Sequence, residues 1–193
     1  MRIDHVIYAT RDLDEAAARI ESELDVRVVA GGRHEGLGTH NRIAPLGDGY
    51  LELLAICDEH EAARSALGSA VKARIEELGD GLMGWAIEVD DVEPVAARLG
   101  THVTTITREG LSAQLTGLLE SLRDPYLPFF LARDAGGVDP GRMSEGPGIG
   151  WIEVAGDAER LSLWLGGSEL AVRVSEGPAA VLAVGIGDRE LRA

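Results

Sequence analysis

The sequence predicts an α+β protein built from repeated βαβββ modules, and three observations support this fold class. A short apolar strand followed by an acidic helix start occurs three times, beginning at Ile3, Met83 and Ile149. After the first two copies, the chain continues with the same order of strand, helix and three strands. Apolar residues make up 45% of the 193 residues, which is enough to build a sizeable core. A repeated strand–helix unit indicates duplicated modules with a ligand site in the cleft between them.

The first module is expected at residues 1–58. Asp12 caps its helix, in which apolar residues recur at helical spacing, and an Asp-Gly pair at 48–49 predicts a hairpin between the last two strands. We interpret the glycine-rich segment 31–38 as a loop in which His34 is solvated. The expected elements are, in order, strand 3–9, helix 13–24, and strands 25–30, 39–45 and 50–57.

The rest of the chain is expected to contain a linking helix, a second module and part of a third. The linking segment spans 59–81 and its helix ends at Gly79. Residues 134–148 are rich in Gly and Pro, and we interpret them as a loop or a lid. The second module spans 82–134, with strand 83–89, helix 92–99, and strands 102–108, 112–120 and 127–133. The partial third module spans 135–193, with a first strand from 149, helix 157–165, and strands near 170–175 and 180–186.

Charge and composition exclude several classes of partner. The formal net charge is −15, so nucleic acid and anionic membranes are poor partners, and no apolar run reaches the length of a membrane span. Cys57 is the single cysteine and cannot form an intramolecular disulfide. The N-terminus shows no signal-peptide pattern. We therefore expect a cytoplasmic protein that binds a small molecule. A homodimer is one interpretation of the third unit.

Several stretches resemble the glyoxalase-like branch of the vicinal oxygen chelate superfamily. They are Ile3-Asp4-His5-Val6, Asp12-Leu13-Asp14, Gly38-Thr39-His40-Asn41-Arg42, Tyr50-Leu51-Glu52-Leu53 and, in the second module, Pro128-Phe129-Phe130. The resemblance covers most of residues 1–134. It implies a glyoxalase/dihydroxybiphenyl dioxygenase-like fold, in which the modules curl into an open cup around a ligand or a metal. It also implies a metal-dependent lyase, isomerase or dioxygenase.

The resemblance implies one metal held by a His on the first strand and a Glu on the last strand of each module. His5 and Glu52 match this pattern in the first module. The second module departs from it, because Trp85 aligns with His5 and an apolar residue aligns with Glu52. His40 on a neighbouring strand is the candidate third ligand or a base. Imidazole and carboxylate ligands suit divalent iron, zinc, nickel or manganese.

Glu52 is the strongest functional candidate, because a carboxylate inside an apolar strand is costly to bury without a partner. It is expected to be catalytic, or else to pair with Arg42 across the hairpin, and His40 is the second catalytic candidate. Two alternatives stay open. A metal-free version of the cup would bind or sequester a small molecule, or the third unit would cover the cup or form a dimer contact. The tryptophans either stack on the ligand or fill the core. The candidate substrate-binding residues are Asn41, Arg42, Tyr50, Trp85 and Trp151.

Overall fold

The computed structural model describes residues 1–108, 111–134 and 136–193, and it contains two β-sheets. The large sheet consists of β1 (Arg2–Ala9), β2 (Val29–His34), β3 (Thr39–Pro45), β4 (Tyr50–Ile56), β5 (Gly81–Glu88), β6 (Val103–Arg108), β7 (Leu111–Thr116) and β8 (Phe129–Arg133). The small sheet consists of β9 (Ile149–Ala155), β10 (Val172–Ser175), β11 (Ala180–Ile186) and β12 (Arg189–Arg192). The helices are α1 (Leu13–Leu24), α2 (Glu59–Ala62), α3 (Ala66–Leu78), α4 (Glu93–Leu99), α5 (Leu118–Arg123) and α6 (Ala158–Trp164), with a 3₁₀ turn at Pro140–Met143.

The strand order of the large sheet has a duplicated pattern. Its order is β2-β3-β4-β1-β5-β8-β7-β6, so strands β6-β7-β8-β5 repeat the arrangement of β2-β3-β4-β1. In each half the first strand is parallel to the last, and the two halves meet where β1 and β5 pair antiparallel. The sheet is strongly curled and open, which confirms the predicted α+β fold class.

The curled sheet has an outer face, which packs against the small sheet, and an inner face, which borders a cavity. The outer-face core joins Trp85 and Ile87 of the large sheet to Ile152 and Val184 of the small sheet, and α1, α4 and α6 pack into the same cluster. Helix α1 begins at Asp12, whose side chain accepts hydrogen bonds from the next turn, and its apolar stripe is buried. The inner-face cluster contains α3 and α5, which fill one end of the cup.

Several local predictions from the sequence differ from the structure. The expected strand 25–30 is shifted along the chain, because β2 spans Val29–His34. The expected loop 31–38 contains the last four residues of β2, because Gly31 and Gly32 lie in a strand whose register with β3 shifts between Ala30 and Arg33. The expected strand 112–120 ends at Thr116 and is followed by α5. The linking helix is interrupted before Ser65, which caps α3. A twelfth strand, β12, follows the last predicted one.

Among the described residues, no helix is long and apolar enough to span a membrane.

Candidate functional site

Glu52 lies on the inner face of the sheet, near its centre. Its direct neighbours across the ladder are Ile7 on β1 and Ile43 on β3. His5 and Asn41 lie two residues away from them on the same strands, and therefore on the same face. The residue is only 9% exposed. Asn41 donates a hydrogen bond from its amide nitrogen to Glu52 Oε1. A buried carboxylate is therefore held in an apolar setting by a neutral donor.

The imidazole of His5 is fixed in position by three neighbours. Its Nδ1–H donates to Asp4 Oδ2 at 2.7 Å, because an ionised carboxylate can only accept. Tyr50 stacks on the ring with centroids 4.6 Å apart, and Phe129 meets it edge-on at 5.4 Å. This orientation directs Nε2 towards Glu52 Oε2, at 3.7 Å. The gap is longer than a hydrogen bond.

Asp4 reaches His5 because of an irregularity in β1. The register between β1 and β5 shifts between Ile3 and His5, which makes Asp4 the additional residue at this point. Such bulges re-aim side chains and are common beside functional sites. The Asp4 carboxylate is fully buried and accepts two hydrogen bonds from Arg133, at 2.6 and 2.9 Å. Arg133 also donates to Glu88 at 2.8 Å.

The charge pair of Asp4 and Arg133 joins β1 of the first half to β8 of the second. Burial alone raises the pKa of Asp4, but hydrogen bonds and charges from His5 and Arg133 outweigh it and hold the pKa below its usual range. Burial lowers the pKa of Arg133, but Asp4 and Glu88 outweigh burial and raise it. Both groups are therefore ionised at neutral pH, and each neutralises the other.

Tyr50 places a neutral phenol beside His5. Burial raises the pKa of Tyr50 well above its usual value, and the negative charges of Asp4 and Glu52 add to the effect, whereas Arg133 opposes it. The hydroxyl therefore stays protonated and available as a donor. Tyr50 and Glu52 are two residues apart on β4, so their side chains leave the same face at Cα positions about 7 Å apart.

His34 approaches Glu52 from the opposite side. It lies at the end of β2 and pairs with Thr39 on β3, whose hydroxyl lies 2.9 Å from His34 Nδ1. Its Nε2 is 3.7 Å from Glu52 Oε1. The predicted solvated position of His34 is therefore corrected, since its side chain is 17% exposed and lines the cavity.

Glycine residues in β2 allow this arrangement. A side chain at Gly31 would collide with the Asn41 amide, so only glycine leaves space for Asn41 at this point. The neighbouring Gly32 donates its backbone N–H to Asn41 Oδ1 at 2.9 Å. Asn41 is thereby oriented with its nitrogen towards Glu52. Gly31 and Gly32 therefore contribute to the site because their backbone lies directly against the Asn41 amide, and they do so as part of a strand.

These polar groups lie at one end of a cavity of about 430 Å³ on the inner face of the sheet. The size is within the range of small-molecule sites. The segment after β8 closes one side of the cavity and is fixed to the β3–β4 hairpin by a hydrogen bond from Gly47 N to Gly141 O at 2.8 Å. The remaining walls are largely apolar: Ile7, Leu37, Ile43, Leu54, Leu67, Ile106, Leu115, Leu118, Phe129, Leu131, Val138, Pro140 and Met143.

His40 and Arg42 do not join this cavity. Successive residues of β3 point to opposite faces, so both lie on the face opposite to Asn41. Arg42 instead forms an ion pair with Asp14 of α1. The expected set of His5, His40 and Glu52 is therefore not brought together, and Arg42 does not pair with Glu52.

The two tryptophans also lie away from the cavity. The register shift in β1 pairs His5 with Ala86, so Trp85 lies opposite Val6 on the outer face, where it is fully buried and donates to Tyr126 O. Trp151 lies in the small sheet beside Gly185, with the Arg173 guanidinium 4.0 Å from its ring centroid. Of the predicted third module, only the segment before β9 lines the cavity in the described part of the chain, through Gly137, Val138, Pro140 and Met143; the small sheet and α6 do not cover the cup.

The donor types near Glu52 suit a divalent metal, but their placement does not. The bond from His5 Nδ1 to Asp4 is the second contact that a metal-ligating histidine normally makes. However, the described part of the chain contains no group of three His, Cys, Asp or Glu side chains placed to hold a metal ion. In the second half, the inner-face positions of β8 are Phe129 and Leu131, which cannot ligate. The arrangement does not fit a metal centre of the kind expected.

A comparison with protein families gives one match, to the glyoxalase-like domain, over residues 3–167. No match was found among curated proteins.

Solved structures share the fold at low sequence identity. A hypothetical protein from Staphylococcus aureus has a TM-score of 0.69 and 14% identity, covering 93% of this chain and 88% of the other. Methylmalonyl-CoA epimerase of Streptomyces coelicolor, in complex with 2-nitronate-propionyl-CoA, has a TM-score of 0.54 and 23% identity, covering 70% and 99%. The epimerase of Mycobacterium tuberculosis has a TM-score of 0.50 and 18% identity, covering 68% and 86%.

Proposed function

Because the chain belongs to the glyoxalase-like domain family of the vicinal oxygen chelate superfamily, we propose that it is an enzyme that moves a proton at a carbon atom next to a carbonyl group. Such a reaction is an isomerisation, an epimerisation or the first step of a lyase reaction. The observation that carries the proposal is the buried Glu52 carboxylate at the polar end of an apolar cavity, flanked by two imidazoles. Buried carboxylates of this kind are suited to general base catalysis.

Glu52 and Tyr50 have complementary roles in the proposed reaction. The substrate carbonyl oxygen accepts a hydrogen bond from the Tyr50 hydroxyl, which the raised pKa keeps protonated. Glu52 takes the proton from the adjacent carbon, and the electron pair of the C–H bond moves into the enolate. In an isomerisation, Glu52 then returns the proton to a neighbouring carbon; in an epimerisation, a second acid delivers a proton to the opposite face of the enolate. Asn41 holds the carboxylate in place through its hydrogen bond.

Deuterium exchange tests this proposal without knowledge of the product. The protein is incubated in D₂O with a panel of ketones and thioesters, and loss of the proton signal next to the carbonyl is followed by NMR. At least one compound is expected to exchange, and Glu52→Gln should slow it by about 10²–10⁴-fold. Glu153→Gln is the matched control, since Glu153 lies in the small sheet. Exchange that survives unchanged in Glu52→Gln refutes the assignment.

Two other candidate functions, a metal-dependent reaction and ligand binding without catalysis, can be tested with the same protein samples. A metal-dependent reaction, which the placement of the described donors does not favour, predicts stoichiometric iron, zinc, nickel or manganese in the purified protein and loss of that metal in Glu52→Ala. A binding or sequestering protein predicts ligand binding without exchange. A cytoplasmic location and a homodimer remain proposals, which fractionation and light scattering of the native protein can test.

A further inference from the structure

The charge distribution of the cavity points to its substrate class. We infer that the site accepts electrically neutral molecules with an apolar body and one carbonyl group, and that it excludes anionic compounds. The inference depends on the proposed function only for the position of the carbonyl group. It follows from the charges and walls of the cavity.

The cavity wall offers an anion no unpaired Arg or Lys among the side chains that the structure describes, which exclude those of residues 107–111. Within that set, Arg133 is the one Arg or Lys in the wall. Its guanidinium is occupied by two hydrogen bonds to Asp4 and one to Glu88. Behind it, Arg2 pairs with Glu88 at 2.6 Å and with Asp139 at 2.6 Å. A carboxylate or phosphate in the cavity would therefore meet a cation that is already neutralised.

The negative charge of Glu52 acts in the same direction. An anionic substrate group near this carboxylate would be repelled in a poorly solvated site. The whole chain carries a formal charge of −15, which also disfavours the approach of anions. A neutral carbonyl group avoids both costs and can still accept a hydrogen bond from Tyr50.

Part of the apolar wall is exposed to solvent. Leu115, Leu118 and Leu131 are among the buried or half-buried apolar side chains of the wall. Val138 and Met143, also in the wall, are more than half exposed, at 54% and 56%. Exposed apolar side chains around an opening are typical of a site that receives an apolar ligand. The volume of about 430 Å³ suits a small molecule.

Matched pairs of ketones test the inference. The first pair is heptan-2-one and its carboxylate analogue 6-oxoheptanoate, and the second is 4-phenylbutan-2-one and 4-(3-oxobutyl)benzoate. Binding to the full chain is measured by saturation-transfer NMR titration at low salt. Each neutral ketone should bind at least about tenfold more tightly than its anionic partner, a difference of about 1.4 kcal/mol. Equal or tighter binding of either anion, or no binding of either neutral ketone, overturns the inference.

A charge variant at the mouth gives an independent readout. Ile106→Lys adds a cation at a partly exposed position of the cavity wall and should improve anion binding relative to the neutral ketone. Leu119→Lys is the matched control, because Leu119 is 52% exposed and lies outside the wall. An equal effect of both lysines contradicts the inference, since it would show that anions respond only to the overall charge.

The inferred substrate class and the proposed reaction can be refuted separately, because they predict different results in the binding and exchange experiments. If neutral ketones bind preferentially but no α-proton exchanges, the proposed reaction is wrong and the substrate class stands. If an anionic compound exchanges fastest and Glu52→Gln abolishes the exchange, the reaction stands and the substrate class is wrong.

Discussion

Replacement of Asp4 by Asn tests the ionic contact that joins the two halves of the curled sheet. The Asp4 carboxylate is fully buried and makes two bonds to Arg133 and one to His5, at 2.6, 2.9 and 2.7 Å. The substitution keeps the size of the side chain and removes its charge. It leaves the Arg133 guanidinium, whose side chain is 13% exposed, with Glu88 as its remaining close carboxylate.

The expected cost follows from this geometry. Removal of one partner of a buried ion pair costs about 3–5 kcal/mol, and the bond that Arg133 keeps to Glu88 places this case near the lower end, at about 3 kcal/mol. The pKa of Asp4 lies below its usual range, so ionised Asp4 stabilises the fold. Its contribution is complete above the unfolded-state pKa of about 3.9, and is lost as the pH falls towards the folded-state value.

Urea denaturation of the wild type and Asp4→Asn between pH 7 and pH 3 measures this cost. The difference in unfolding free energy should stay constant from pH 7 to about pH 5 and narrow below about pH 4. Glu88→Gln is the control: it also removes a partner of Arg133, but its side chain is 25% exposed, so we expect a cost of about 1 kcal/mol or less. A cost for Asp4→Asn below about 1 kcal/mol, or one equal to the control, refutes the reasoning.

Two further predictions concern the groups around the carboxylate. Gly31→Ala should lower the unfolding free energy by about 1–3 kcal/mol, because the new methyl group displaces Asn41. Gly84→Ala is the control and should be close to neutral in the same urea titration, because no atom lies within 4 Å of the added carbon. Equal effects of the two substitutions would contradict the assigned role of Gly31. Tyr50→Phe should slow α-proton exchange by about 10²-fold with an unchanged circular dichroism spectrum, and an unchanged rate would remove Tyr50 from the mechanism.

The sequence predicts the duplicated plan of the large sheet because each strand and helix has a clear hydrophobic period. Helix α1 and β11 lie where the pattern places them. The sequence also identifies Glu52 as a functional candidate, because this acidic residue interrupts an apolar strand and its burial is costly without a partner. Tyr50 follows from the two-residue period of the same strand, whereas Asn41 is expected from the resembling segment 38–42.

Register and bulges explain what the sequence does not predict. Alignment of the repeated segments places Trp85 opposite His5, but the register shift in β1 moves it to the outer face. His34 is missed because Gly31 and Gly32 suggest a loop, although they belong to a bulged strand. The signal that could have identified it is the pairing of His34 with Thr39 across the turn at Gly36. The partner of His5, Asp4, likewise depends on a bulge.

In the proposed reaction, side chains of this protein move the proton, with Glu52 as the base. The most direct test compares α-proton exchange before and after exhaustive dialysis against a chelator, with metal content measured in the same samples. We predict that removal of metal leaves the exchange rate unchanged, whereas Glu52→Gln slows exchange by about 10²–10⁴-fold. Loss of exchange on chelation, with recovery when iron, zinc, nickel or manganese is added, would contradict the claim.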